Sequence, residues 1–407
     1  MAEEEISTKE KIIQTTFSLL KDEVFSRLSL SRIAKEVGIS KTAIYRHFES
    51  KDALDAAIRD RVFSDTTELT KQLDKIYKEG RYEDCIRLAL RYLYEKPEYL
   101  SYVLFSTPNL GEDFQFQKLS ESGVTFLSEV FDKNHHVINE HFYIHGFFVF
   151  VTMIDFMLAF SSVCDFKNKN GIKDVSYEDW ENHVIKMIKK GLRIKNPTIS
   201  DERLSHLNTL CKKSLENIPE VDKKLVALSN VIYREGLPNV TVEAVANELG
   251  IVKSSLYSHF SDKDDMVLSL VTTELNQMLG LVAQNTEECE EMSEKIYVLL
   301  RTEIDYFMTR REMLTVCKWI QISGLYSSHI NENFFHTTYN DKVLQLSEKI
   351  AKNQTFFDRK LVSGWVFSFP VFLVVNALCH NFSKDELDIT LNKLYLLIAG
   401  GFNETHS

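Results

Sequence analysis

Glycine and proline are scarce, at 14 and 6 of 407 residues. That scarcity argues against a β-rich or low-complexity chain and leaves an all-α protein as the expectation. Cysteine is sparse too. Cys85, Cys164, Cys211, Cys289, Cys317 and Cys379 stand far apart with no CxxC pair, which points to ordinary thiols in a reducing cytoplasm rather than a disulfide framework or a zinc finger. Positive charge is in deficit, with 48 Lys and Arg against 59 Asp and Glu and a net charge of −11. Such a surface repels nucleic acid over most of its area, so any DNA contact has to be a local patch and sensitive to salt. No P-loop, GxGxxG, GxSxG or HExxH pattern occurs, so no enzyme and no cofactor are indicated. The acidic, polar start MAEEEISTKEK is unlike a secretory leader. Two apolar runs come near the length of a membrane span. Gly146–Cys164 carries Asp155 at its centre, and Gly364–Cys379 is shorter and interrupted by Pro370. A central acid is costly in lipid and no basic flank follows, so buried bundle helices, and no membrane, are expected.

What the chain does contain, it contains twice. Leu30–Lys51 reads LSRIAKEVGISKTAIYRHFESK, and 212 places on Val242–Lys263 reads VEAVANELGIVKSSLYSHFSDK. Ala34, Glu36, Gly38, Ile39, Lys41, Tyr45, His47, Phe48 and Lys51 return as Ala246, Glu248, Gly250, Ile251, Lys253, Tyr257, His259, Phe260 and Lys263, without a gap. Each copy reads as two short helices around a tight turn. Ser29 and Thr241 are N-cap types, and Ile33 with Val37, and Val245 with Leu249, fall four apart on one face. Gly38 and Gly250 suit the left-handed residue that ends a helix. Ser40 can cap the next helix, whose Ile44 and Phe48 share an inward face. Lys41, Thr42, Tyr45, Arg46 and His47 are left outside, as donors for phosphate oxygens and base edges. This spacing predicts a helix-turn-helix whose second helix enters a major groove. Packing alone needs only the buried positions, yet the repeat also keeps the outward Lys, Tyr and His.

The pattern T/S-x-x-x-I/V-A-x-x-x-G-I-x-K-x-x-[IL]-Y-x-H-F-x-x-K, present in both copies, resembles the DNA-binding domain of TetR-type transcriptional regulators over about fifty residues in each half. The resemblance implies DNA-contacting roles for Ser29, Ser40, Lys41, Thr42, Tyr45, Arg46, His47 and Lys51, and for Thr241, Lys253, Ser254, Ser255, Tyr257, His259 and Lys263, with Lys51 and Lys263 meeting phosphate. Two departures stand out: Val24 replaces a glycine that Gly236 keeps, and Val252 replaces the capping Ser40. The copies also differ in charge. Ser26–Arg61 holds eight Lys or Arg (Arg27, Arg32, Lys35, Lys41, Arg46, Lys51, Arg59, Arg61) against five acids. Pro238–Thr273 holds only Lys253 and Lys263 against five acids. The first head is therefore expected to dominate affinity, and Ser258 in place of Arg46 removes a potential guanine reader. The second head either reads its own half-site weakly or has become scaffold.

The expected organisation is a first head over 1–61 with a helix over 5–25 before the repeat, a helical regulatory domain over 62–195, and a linker over 196–219 able to hold one short helix. A second head over 220–273 and a second helical domain over 274–407 follow. Beyond the heads the halves show parallel organisation without a convincing residue-level repeat. Tyr102, Phe105, Phe126, Phe147 and Phe150, among many aromatics, are candidates to line an effector pocket, although aromatics at helical spacing are commonly core. His141 and His145, four apart, could chelate zinc, but cysteines and an HExxH order are lacking, and solvated or core histidines are the preferred reading.

The resemblance further implies an all-helical domain that binds a small effector and dimerises through its last two long helices, where Gly146–Cys164 and Tyr177–Ile194 fall. TetR-type proteins act as two-fold dimers on palindromic operators, usually as repressors. Two units in one chain thus imply a covalent pseudo-dimer, monomeric or paired again as a homodimer, with heads about one DNA turn (roughly 34–36 Å) apart on an imperfect palindrome. The expected partners are double-stranded DNA and a small effector.

Overall fold

The computed structural model describes residues 6–21, 25, 28–99, 102, 148–149, 151–153, 176–235, 240–316, 356–379 and 381–401. They belong to two compact units, Met1–Ile138 and Asn139–Ser407. Among the described residues the regular elements are all helices.

The first unit holds α1 (Thr8–Leu19), α2 (Leu30–Val37), α3 (Lys41–Tyr45), α4 (Lys51–Lys78) and α5 (Tyr82–Glu95). Side-chain oxygens cap four of these helices. Ser7 accepts from Glu10 N, Ser29 from Arg32 N, Ser40 from Ala43 N and Ser50 from Ala53 N, each satisfying an otherwise orphan donor. α1 is shorter than the expected 5–25. Leu20 N–H is shared between Thr16 O and Phe17 O, and Lys21 N–H bonds Ser18 O, so the last turn tightens and the helix stops there. Ile12, Leu20, Ile33, Ile44, Leu54 and Ile58 are fully buried in one core, which holds α1, α2, α3 and the start of α4 together. Two arginines counted in the basic tally of the first head are used inside this unit. Arg61 donates both ends of its fork to Glu10 at 2.9 and 2.7 Å, and Arg59 donates to Asp55 at 2.5 Å.

The second unit holds α6 (Tyr177–Lys190), α7 (Asp201–Ser214), α8 (Lys223–Glu235), α9 (Val242–Leu249), α10 (Lys253–Tyr257), α11 (Lys263–Glu287), α12 (Met292–Thr309), α13 (Phe356–Cys379) and α14 (Lys384–Gly400). α7 lies in the stretch read from sequence as a linker. Leu207 and Cys211 are fully buried on it, Arg203 forks onto Glu294 at 2.8 and 2.9 Å, and Asn208 accepts from Tyr297 at 2.8 Å. It is a packed part of this unit.

α12 is the hub, packed against α7, α11, α13 and α14. A helix buried all round has to partner its polar groups. Arg301 does so with Asp305 at 2.8 Å and with Asp388 of α14. Asn285 donates to both Ser214 and Thr302 at 3.0 Å, tying α7, α11 and α12. Glu303 is the exception. It is 1% exposed, and its Oε2 has no hydrogen-bond partner among the described residues. Burial pushes its pKa well above the ordinary 4.5, which disfavours the folded state progressively as pH rises past the unfolded-chain value. Glu303→Met is therefore expected to stabilise the fold by about 1–3 kcal/mol, with a gain over wild type that grows between pH 4.5 and 8. Urea unfolding across that range measures it, and a pH-independent difference would contradict the assignment.

α11 is long and apolar enough to cross a membrane by length and composition, but 56% of that window is buried within the unit, as in the core helix of a folded domain. Pro370 lies inside α13, which continues through it. Burial pushes the thiols of Cys211 and Cys289 up to about 11 and about 12, so both are inert structural thiols.

The second unit also brings together segments from both halves of the sequence. Phe148 stacks on Phe369 at 5.6 Å and tilts against Trp365 at 5.3 Å. Just beyond α6 and α14, Gly191 (φ 50°) and Gly401 (φ 76°) lie back to back. A Cβ on Gly191 would sit 2.5 Å from Gly401 N and 2.5 Å from Ile398 O, and one on Gly401 would strike Lys189 O and Gly191 N. Only glycine fits either position. The approach lets Leu192 N donate to Ile398 O at 2.8 Å and Ile194 N to Ala399 O at 2.9 Å. Tyr395 Oη adds a bond to Pro197 O at 2.6 Å.

Candidate nucleic-acid interface

Both reading heads fold on the same local rules. Ser29 and Thr241 cap α2 and α9, and Gly38 (φ 80°) and Gly250 (φ 68°) end them in the left-handed conformation. The chain then turns directly into α3 and α10. Ile44 and Phe48 are buried, as are Leu256 and Phe260 at the equivalent places. Because those two positions face inward, the outward set is fixed. Lys41, Thr42, Tyr45, Arg46 and His47 are exposed in the first head, and Lys253, Ser254, Ser255, Tyr257 and His259 in the second. Tyr45 and Tyr257 are 44% and 46% exposed.

The electrostatics of the heads diverge. Among the described residues no carboxylate pairs with Lys41 or Arg46, so both point free charge outward. In the second head Lys253 Nζ lies 3.1 Å from Glu243 Oε2 and 5.6 Å from the centre of the Tyr257 ring. The Glu243 hydrogen bond raises the Lys253 pKa. Arg234 of α8 bonds Glu248 at 2.9 Å and Glu235 at 3.2 Å, while Asn230 donates to the other oxygen of Glu248 at 3.0 Å. Ser258, at the place of Arg46, turns its hydroxyl back to Ser255 O at 2.7 Å. α10 starts at Val252 without a side-chain cap. α11 starts at Asp262, with Asp264 and Asp265 in its first turn.

Lys51 opens α4 with its ammonium 5.1 Å from the centre of the Phe25 ring, and desolvation lowers its pKa. Lys263 holds the equivalent place on α11. Of the aromatics expected to line an effector pocket, Tyr102 is 1% exposed and packs edge-on to Phe25, 6.1 Å between ring centres. Its hydroxyl donates to Asp55 at 2.7 Å, so it closes the core of the first head. Phe105, Phe126, Phe147 and Phe150 lie outside the described residues, as do His141 and His145. Among the described residues no group of His, Cys, Asp and Glu could hold a metal ion. The contacts that single out Glu243 were missed from sequence, although its replacement of Ser31 could be seen there.

Comparison with known proteins falls on these two regions. The family described as bacterial regulatory proteins, tetR family, matches at residues 12–58 and again at 225–270. An HTH-type transcriptional regulator of Staphylococcus aureus (strain bovine RF122 / ET3-1) is 28% identical over 100 residues, covering 24% of this chain and 49% of that protein. The nucleoid occlusion factor SlmA of Marinobacter nauticus is 29% identical over 122 residues, 29% of this chain and 61% of its own length. The chain thus spans about half the length of the curated relatives it matches. Among solved structures, the fatty acid degradation regulator FadR from Bacillus halodurans is 17% identical, covering 46% of this chain and 98% of its own, at a TM-score of 0.34. That overlap is too slight to argue from. The family is thus matched once in each half, over the same helix-turn-helix each time, so the chain resembles TetR-type regulators in two tandem units.

Proposed function

We propose that the protein is a DNA-binding transcriptional regulator that uses both heads on one duplex as a covalent pseudo-dimer. One observation carries this reading: α3 and α10 bury equivalent apolar pairs and present Lys, Tyr and His outward at equivalent positions. Lys41 and Lys51 with Lys253 and Lys263 contact phosphate, and Thr42, Tyr45, Arg46 and His47 with Ser254, Ser255, Tyr257 and His259 reach base edges. Ser29, Ser40 and Thr241 set the helix starts. The back-to-back glycines and the Phe148 cluster support the pseudo-dimer, because they join segments of both halves as a two-fold dimer joins two chains. In this reading the chain represses in the cytoplasm and releases DNA when a small apolar or aromatic effector favours the released arrangement of a helical domain. The operator is an imperfect palindrome.

A second reading, in which the second head is scaffold, is favoured by the Glu243–Lys253 pair and the uncapped α10. Selection from randomised duplexes followed by sequencing, with wild type, Tyr45→Ala and Tyr257→Ala, separates the two. The expected result is that each substitution weakens binding about tenfold and erases information at its own half of the site. Loss with Tyr45→Ala alone, on a symmetric site, would mean that two chains pair through first heads. Wild type that enriches no sequence and binds no duplex in low salt would end the DNA-binding reading.

A further inference from the structure

We infer that Glu243 is an affinity-setting residue that holds Lys253 away from phosphate and so fixes the order in which the two heads engage DNA. The inference rests on the DNA-binding reading above and assigns a role that the repeat pattern does not contain. Glu243 is the second residue of α9 and Lys253 the first of α10. The packing of these helices brings the two side chains to 3.1 Å at the outer face of the head. In the first head the equivalent positions are Ser31 and Lys41, which no carboxylate joins among the described residues. The same backbone geometry therefore presents a free ammonium in one head and an internally neutralised one in the other.

The pair is exposed, 48% for Lys253 and 61% for Glu243, so it is weak and a phosphate can compete with it. Its cost to DNA binding has two parts. Lys253 has to leave its partner, and the freed carboxylate then faces the phosphate backbone as a like charge. Both parts vanish with serine at 243. Arg234 of α8 is itself neutralised by Glu248 and Glu235. The first head accordingly anchors, and the second closes from a tethered position, where effective concentrations on the order of millimolar compensate a weak site.

The test uses the full-length chain with its first head silenced by Lys41→Ala and Arg46→Ala, so that binding reports the second head. Anisotropy of a labelled mixed-sequence duplex is titrated at several salt concentrations, with Glu243→Ser, Lys253→Ala and the two combined. The expected result is that Glu243→Ser tightens binding about tenfold at low salt and steepens the log–log salt dependence by about 0.9, one recovered phosphate contact. The gain should vanish when Lys253 is also alanine. No tightening, or the same tightening with and without Lys253, overturns the inference, while salt-dependent binding by the unmutated chain keeps the DNA-binding reading. Absence of duplex binding by the unmutated chain as well overturns both. Both residues are exposed, so folding is not at stake, and circular dichroism of each variant checks that.

Discussion

Gly191→Ala is expected to destabilise the Asn139–Ser407 unit by about 3–5 kcal/mol, because three penalties fall on one methyl group. Gly191 has φ 50° and ψ −148°, a conformation open essentially to glycine alone. The new Cβ would lie 2.5 Å from Gly401 N and from Ile398 O, and 2.8 Å from Leu397 O. All three are backbone atoms that cannot rotate away. Relieving the clash means separating the segment after α6 from the end of α14, which breaks the Leu192 to Ile398 and Ile194 to Ala399 hydrogen bonds. Thermal unfolding followed by circular dichroism should show a loss of roughly 10 °C for a unit of this size. Gly280→Ala supplies the control. Gly280 lies inside α11 with nothing within 4 Å of its would-be Cβ, so alanine there should stabilise by about 0.5–1 kcal/mol. If both substitutions behave alike, the two glycines do not hold the halves together.

That contrast shows where the sequence is legible. In the reading heads each residue acts on neighbours within four positions: Ser29 caps Arg32 N, Gly38 turns the chain, and Ile44 and Phe48 face one core. Periodicity and capping rules need no more than that. Gly191 gives no such signal, because its constraint comes from Gly401, a partner 210 residues away in the chain. Charge counting fails for the same reason. Arg59 and Arg61 raise the basic tally of the first head, yet they serve Asp55 and Glu10. The Glu243–Lys253 contact depends on how α9 meets α10, which a residue tally cannot express. α7 was read only as a short helix within a linker because Lys212, Lys213 and Glu202 make its stretch polar on average, while Leu207 and Cys211 form a narrow buried stripe. The ends of two helices beyond the heads are also alike. Lys96 and Arg310 follow the last residues of α5 and α12, bond Tyr92 O and Tyr306 O through their backbone N–H groups, and share backbone angles of −126°, 57° and −113°, 64°. Their spacing is 214 rather than 212, so a gapless comparison slides past them.

These two helix ends give the other large effect, since one is sealed and the other is wet. Arg310 is 7% exposed and Glu274 on α11 is 4% exposed. Arg310 Nε lies 3.8 Å from Glu274 Oε2, and its fork donates to Pro219 O, just ahead of α8. Tyr306 Oη, kept protonated by burial and by its acceptor, donates to Glu274 Oε2 at 2.5 Å. Arg310→Met would leave a buried carboxylate with only hydroxyl support and a carbonyl without its donor, at about 3–5 kcal/mol. Lys96 meets Asp65 on α4 at 2.8 Å, but those side chains are 35% and 31% exposed, so Lys96→Met should cost no more than about 1 kcal/mol. Adding Glu274→Gln to Arg310→Met should recover part of the loss, because a neutral amide still accepts from Tyr306 without burying charge. Urea unfolding of the three variants measures these costs. Hydrogen exchange locates the damage, with faster exchange expected in α8, the first helix of the second head, because Arg310 fixes the chain leading into it. Equal costs for Lys96→Met and Arg310→Met would show that burial does not set the strength of these contacts, and unchanged exchange in α8 would show that Arg310 does not fix the chain leading into it.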